Sequence, residues 1–111
     1  MPLQWDDDWR FAYQARPVAI ELEGRRLTIS SHETHLLLGE LERLPSARRR
    51  AAEQTAAELA QGLAAGCAIA LDDDGRRCVL RAIEAIRTRR RLSSALVRLR
   101  EHLLHAPAPV L

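Results

Sequence analysis

Apolar and polar residues alternate from Val18 to Leu22, placing Val18, Ile20 and Leu22 on one face, and Arg25-Arg-Leu27-Thr-Ile29 resumes after Gly24. Two such runs around Glu23-Gly24 predict a β-hairpin, because the short turn needs a positive φ that glycine adopts without steric cost. The period then changes. Ser30-Ser31-His32-Glu33 has the spacing of a capping box, with Ser30 taking a free amide and Glu33 three residues on. The helix it opens runs from about Ser31 to Arg43, with Leu37, Leu38, Leu41 and Leu44 toward the core. Pro45-Ser46 breaks it and caps a second helix that continues to about Ala65 and stops at Gly66. The apolar stripe of this second helix (Ala52, Thr55, Ala56, Leu59, Leu63) is thin and rich in alanine, so close packing is expected.

Cys67-Ala-Ile-Ala-Leu71 is short, apolar and flanked by Gly and Asp, and reads as a strand. Asp72-Asp73-Asp74 caps a third helix, with negative charge where the helix dipole favours it. That helix carries Val79, Leu80, Ile83 and Ile86. Ser93 caps a last helix bearing Leu92, Leu96, Leu99 and Leu103. The expected fold class is α+β: a small antiparallel or mixed sheet, made of the hairpin and a third short strand, with four helices on one face.

Ile29 to Leu44 aligns without gaps on Leu71 to Ile86, matching strand end, cap and apolar positions, and each copy precedes an Arg triplet and another helix. The chain therefore reads as an aromatic, acidic arm (residues 1–16), a single α+β domain (17–105) and a loose tail (106–111). Within the domain, 17–65 and 66–105 are candidate pseudo-repeats. Two copies are fewer than a solenoid needs, so a compact domain is the expectation.

Composition narrows the class. The 111 residues are 47% hydrophobic and 29% charged, and the net charge is only +2, too small to argue for nucleic acid by itself. No apolar run approaches the roughly 18 residues that cross a bilayer, and the acidic start is unlike a signal peptide, so no membrane partner is expected and the cytoplasm is the expected location. The two cysteines, Cys67 and Cys78, read as reduced, small core residues. All 17 basic residues are arginine, a bias that fits a GC-rich bacterial genome.

All four histidines fall in His-x-x-His pairs, His32/His35 and His102/His105, a spacing that sets both rings on one helix face as weak candidate metal ligands. The competing reading is surface or capping histidine. Asp72-Asp73-Asp74-Gly75 lacks the alternating ligands and distal Glu of a calcium loop, since Ile83 stands at the twelfth position. No catalytic constellation or phosphate loop emerges, and no cofactor is expected.

Two features remain. Arg89, Arg90 and Arg91 follow the third helix, where cations suit its C-terminal dipole. Arg48, Arg49 and Arg50 do the reverse at the start of the second helix, costing a few tenths to about 1 kcal/mol. That conflict fits an anionic partner, either phosphates or acidic side chains such as Asp6 to Asp8, and the competing reading is a solvated arginine face produced by codon bias. The other feature is the arm. Trp5, Trp9, Phe11 and Tyr13 are all the aromatic residues of the chain, and Trp9, Phe11 and Tyr13 alternate as a strand would beside the hairpin. The arm either lids the aliphatic core or docks on another chain, since aromatic residues are favoured interface anchors. The expected function is that of a small non-catalytic interaction subunit, adaptor or regulator that forms homo-oligomers. Non-specific nucleic-acid binding through the Arg triplets is the second reading.

Overall fold

The computed structural model describes residues 17–22 and 24–105. The arm with its expected aromatic strand, and the tail, lie outside them. The chain is α+β, as expected: strands β1 (Val18–Leu22), β2 (Arg25–Ile29) and β3 (Ile69–Ala70), and helices α1 (Ser31–Leu41), α2 (Arg49–Ala65), α3 (Asp73–Arg87) and α4 (Ser94–His105). The sheet is mixed, in the order β2-β1-β3. Strands β1 and β2 pair antiparallel with Val18 opposite Ile29 and Leu22 opposite Arg25, and β3 runs parallel to β1 with Ile69 beside Ile20. Gly24, at φ +79°, turns the hairpin.

The alternation in β1 sorts the faces. Val18, Ile20 and Leu22 are buried beneath the helices, while Glu21 stands exposed on the other face and meets Arg26, its cross-strand partner, at 2.7 Å. One apolar cluster joins these residues to Ile29, Leu37 and Leu41 of α1, Leu59 of α2, Val79, Ile83 and Ile86 of α3, and Leu96 and Leu99 of α4. Leu38, Leu44, Leu63, Leu92 and Leu103 pack around it, partly buried.

The narrow stripe of α2 does pack closely. At Gly62 an added Cβ would stand 2.9 Å from Ile69 Cγ2 and 3.2 Å from the Cys67 carbonyl, so backbone and sheet meet there without room for a side chain. Gly66, at φ +72°, ends α2 in the left-handed conformation as expected.

Three boundaries differ from the expectation. Helix α1 ends at Leu41 rather than Arg43, because Arg43 and Leu44 tighten into bonds to the Glu40 and Leu41 carbonyls and Pro45 disfavours helical geometry at Leu44. Ser46 caps nothing: Ser46–Arg48 form a 3₁₀ turn, and α2 starts at Arg49 without a side-chain cap. Only Ile69 and Ala70 of the expected third strand pair, beside Ile20 and Glu21, because Cys67 and Ala68 directly follow the left-handed Gly66 and precede the point where the chain comes alongside β1. Cys67 is consequently exposed and is not a core residue, whereas Cys78 is buried; both are free thiols.

Ser30 and Asp72, which stand opposite each other in the gapless alignment of residues 29–44 on 71–86, both cap. Ser30 Oγ accepts from the Glu33 amide at 3.1 Å and Asp72 Oδ1 from the Gly75 amide at 2.7 Å. The strands before them run oppositely, β2 antiparallel and β3 parallel to β1.

Candidate functional site

A set of cross-helix polar links fixes the corner where α3 gives way to α4. Glu33 completes the α1 capping box by accepting from the Ser30 amide at 2.7 Å, and its other oxygen accepts from the Ser93 hydroxyl. Ser93 Oγ in turn accepts from the Leu96 amide at 3.3 Å, so one serine caps α4 and ties it to the start of α1. Burial, the largest single influence on Glu33, pushes its carboxyl up. The bonds from Ser93, the Ser30 amide and the Ser30 hydroxyl, with the charge of His32, together outweigh burial and hold it below the usual carboxylate value.

Two further carboxylates brace the same corner. Glu40 of α1 is buried and pairs with Arg89 just beyond α3, with Arg43 at 3.4 Å as a second partner. Glu84 of α3 binds Arg100 of α4 and, at 3.0 Å, Arg87. The hydrogen bond from Arg100 is the main reason its carboxyl lies below the ordinary value. Helices α1, α3 and α4 are thus clamped by ions at their margins as well as by the core between them.

These clamps divide the second Arg triplet. Arg89 is spent on Glu40, whereas Arg90 and Arg91 are exposed and, among the described residues, have no ion-pair partner. Together with Arg87, Leu92 and Val97 they line an open depression of about 700 Å³. Helix α4 continues this surface. Val97 is 39% exposed and Leu104, two turns on along the same face, is 47% exposed. Among the described residues these are the large hydrophobic side chains that remain exposed.

The first Arg triplet lies elsewhere. Arg48 is half-buried, Arg49 and Arg50 are exposed, and the first turn of α2 contains no acidic residue to offset their charge against the dipole. Arg48 and Arg50 line a cavity of about 290 Å³ with Gln54, Glu58 and, from the start of α3, Asp72 and Asp74. Acidic side chains of this same chain therefore face the triplet. Helix α3 has 15 residues, so its two ends, one near each triplet, stand roughly 20 Å apart. The triplets do not form one continuous cationic strip.

His32 and His35 are exposed on the first turns of α1, His102 is half-buried on α4 and His105 is its last helical residue. Among the described residues, no three His, Cys, Asp or Glu side chains stand close enough to hold a metal ion. Trp5, Trp9, Phe11 and Tyr13 lie outside the described residues. None of the described helices is long and apolar enough to cross a membrane.

The sequence reading did not find Glu33–Ser93, Glu40–Arg89 or the exposed pair Val97 and Leu104. The last was accessible: the Leu92, Leu96, Leu99, Leu103 stripe leaves two large apolar residues of α4 off the core-facing side. No protein-family model, curated protein or solved structure matches this chain.

Proposed function

We propose that this chain is a small non-catalytic interaction subunit, an adaptor or regulator that associates with itself through α4 and the aromatic arm. The observation that supports this reading is the outward face of α4, where Val97 and Leu104 remain exposed beside the depression at Leu92. Exposed apolar surface rimmed by polar residues marks protein–protein interaction sites. A two-fold pairing of such faces is self-complementary and closes, which limits assembly to a dimer. Both cysteines are free thiols, in keeping with work in a reducing compartment such as the cytoplasm.

Light scattering on the full chain across a wide concentration range tests it. A concentration-dependent dimer that Val97→Asp with Leu104→Asp abolishes, with helical content retained, supports the reading. A monomer at every concentration overturns the self-association. Non-specific nucleic-acid binding through the Arg triplets remains the second reading and draws on the exposed pair Arg90 and Arg91. It requires an affinity that falls steeply with salt, with a slope set by the number of phosphates neutralised.

A further inference from the structure

The open depression at the α3–α4 corner joins an apolar floor, Leu92 and Val97, to two guanidinium groups without ion-pair partners among the described residues, Arg90 and Arg91. Its complement is a short segment with clustered negative charge and a large apolar side chain. The chain itself contains one: Trp5-Asp6-Asp7-Asp8-Trp9, with three negative charges between its two tryptophans.

The described backbone brings the attachment point of this segment toward the depression. Val18, separated from the arm only by Pro17, pairs with Ile29, and the residue after Ile29, Ser30, shares a capping box with Glu33. Glu33 holds Ser93, and Ser93 adjoins Leu92. The arm therefore joins the sheet at the junction that anchors the start of α4. Eight peptide steps separate Trp9 from Pro17 and span about 27 Å when extended, ample for a turn back over the corner. A tether this short also gives the arm a local concentration that a separate molecule matches only in the millimolar range.

We propose that residues 5–9 seat in this depression of their own chain, with Asp6–Asp8 against Arg90 and Arg91 and Trp9 over Leu92 and Val97. The seated Trp9 then covers Val97, and Trp9, Trp5 and the exposed Leu104 together form the apolar surface offered to a second copy. This deepens the interaction role proposed above, on which its purpose rests: Trp9 covers the corner, and Trp5 is held ready as the anchor for a second molecule at lower entropic cost than a free arm would require.

Trp5 and Trp9 are the only tryptophans, so the full chain with Trp5→Phe reports on Trp9 alone. The expected emission is that of a shielded indole, unchanged by dilution. It shifts to longer wavelength in Arg90→Glu/Arg91→Glu and in molar salt, where the screening length falls to about 3 Å. Asp6→Arg/Asp8→Arg added to the reversed pair restores the shielding. Arg90→Gln/Arg91→Gln gives an intermediate shift, and circular dichroism shows the helices intact in each. A solvent-exposed indole in the Trp5→Phe chain, or shielding that charge reversal leaves untouched, overturns the seat. Shielding that disappears on dilution also overturns it, assigns the contact to a second copy and leaves the association role standing. Dilution-independent shielding in a chain that light scattering shows to be monomeric supports the seat while the association role falls.

Discussion

The hydroxyl of Ser93 donates to the carboxylate of Glu33 across 60 residues of sequence, joining the cap of α4 to the capping box of α1. Each group already serves its own helix end, so the bond couples two local structures that would otherwise form independently. A hydrogen bond to a charged group typically contributes about 1.5–3 kcal/mol. A double-mutant cycle of Glu33→Ala and Ser93→Ala, read by denaturant unfolding, is expected to give a coupling energy in that range. Additive losses would show that the two caps act separately.

Acid should weaken the fold through the same residue. The carboxyls of Glu33 and Glu84 both titrate below their ordinary value in the folded chain, so the unfolded chain binds protons more readily. The stability they add is complete above the unfolded-state value, about 4.3, and is lost as pH falls through that value and then the lower folded one. Unfolding midpoints measured from pH 7 to pH 3 are expected to fall less steeply in Glu33→Gln than in the parent chain. Parallel curves would rule Glu33 out as a source of the acid sensitivity.

Gly39 and Gly62 make a paired test of packing. Both lie inside helices, where alanine is intrinsically favoured over glycine by about 1 kcal/mol. An added Cβ at Gly39 meets nothing within 4 Å, so Gly39→Ala is expected to stabilise by about 0.4–1 kcal/mol. At Gly62 it would press on Ile69 at 2.9 Å and on the Cys67 carbonyl at 3.2 Å, a contact with backbone that cannot swing aside. Gly62→Ala is expected to destabilise, with overpacking of about 1–3 kcal/mol exceeding the propensity gain. Thermal melts of the two variants should move in opposite directions.

What the sequence disclosed and what it hid divide along physical lines. The hairpin, the caps at Ser30, Asp72 and Ser93, and the stop at Gly66 were legible because each is decided within a few residues. The length of β3 was not, since it depends on where the chain comes alongside β1 in the folded domain; Cys67 lies before that point and is exposed. The ionic clamps were hidden for a different reason. Glu40 and Glu84 lie on amphipathic helices, where a charged residue ordinarily faces water, and their partners Arg89 and Arg100 come from other elements 49 and 16 residues away. The Arg triplets were visible as charge, but only the fold shows that Arg89 is spent on Glu40 and that α3 separates the triplets.

The two thiols should differ sharply in reactivity. Cys67 is exposed, whereas Cys78 is buried, and burial raises its pKa above the usual thiol value and so suppresses the reactive thiolate. Under native conditions a thiol reagent is expected to modify Cys67 quickly, and Cys78 only at the rate of local or global opening. Mass spectrometry of a time course would resolve one fast and one slow addition. Equal rates would mean that the α3 core opens far more readily than its packing implies.

Trp5 and Trp9 separate the two roles assigned to the arm. A large side chain fully buried against the core stabilises by roughly 1.5–3 kcal/mol, a sizeable part of a small domain's total. An aromatic anchor at an interface instead costs about 2 kcal/mol or more of binding when truncated, some thirtyfold in affinity, and leaves the monomer nearly as stable as before. With Trp9 seated over Leu92 and Val97 and Trp5 directed to a partner, Trp9→Ala is expected to lower both the melting temperature and the association constant. Trp5→Ala should weaken association about thirtyfold and move the melting temperature little. Light scattering and thermal melts on the same preparations provide both readings. A Trp5→Ala chain that melts far lower yet associates normally would place Trp5 in the core, where truncation removes packing rather than an anchor.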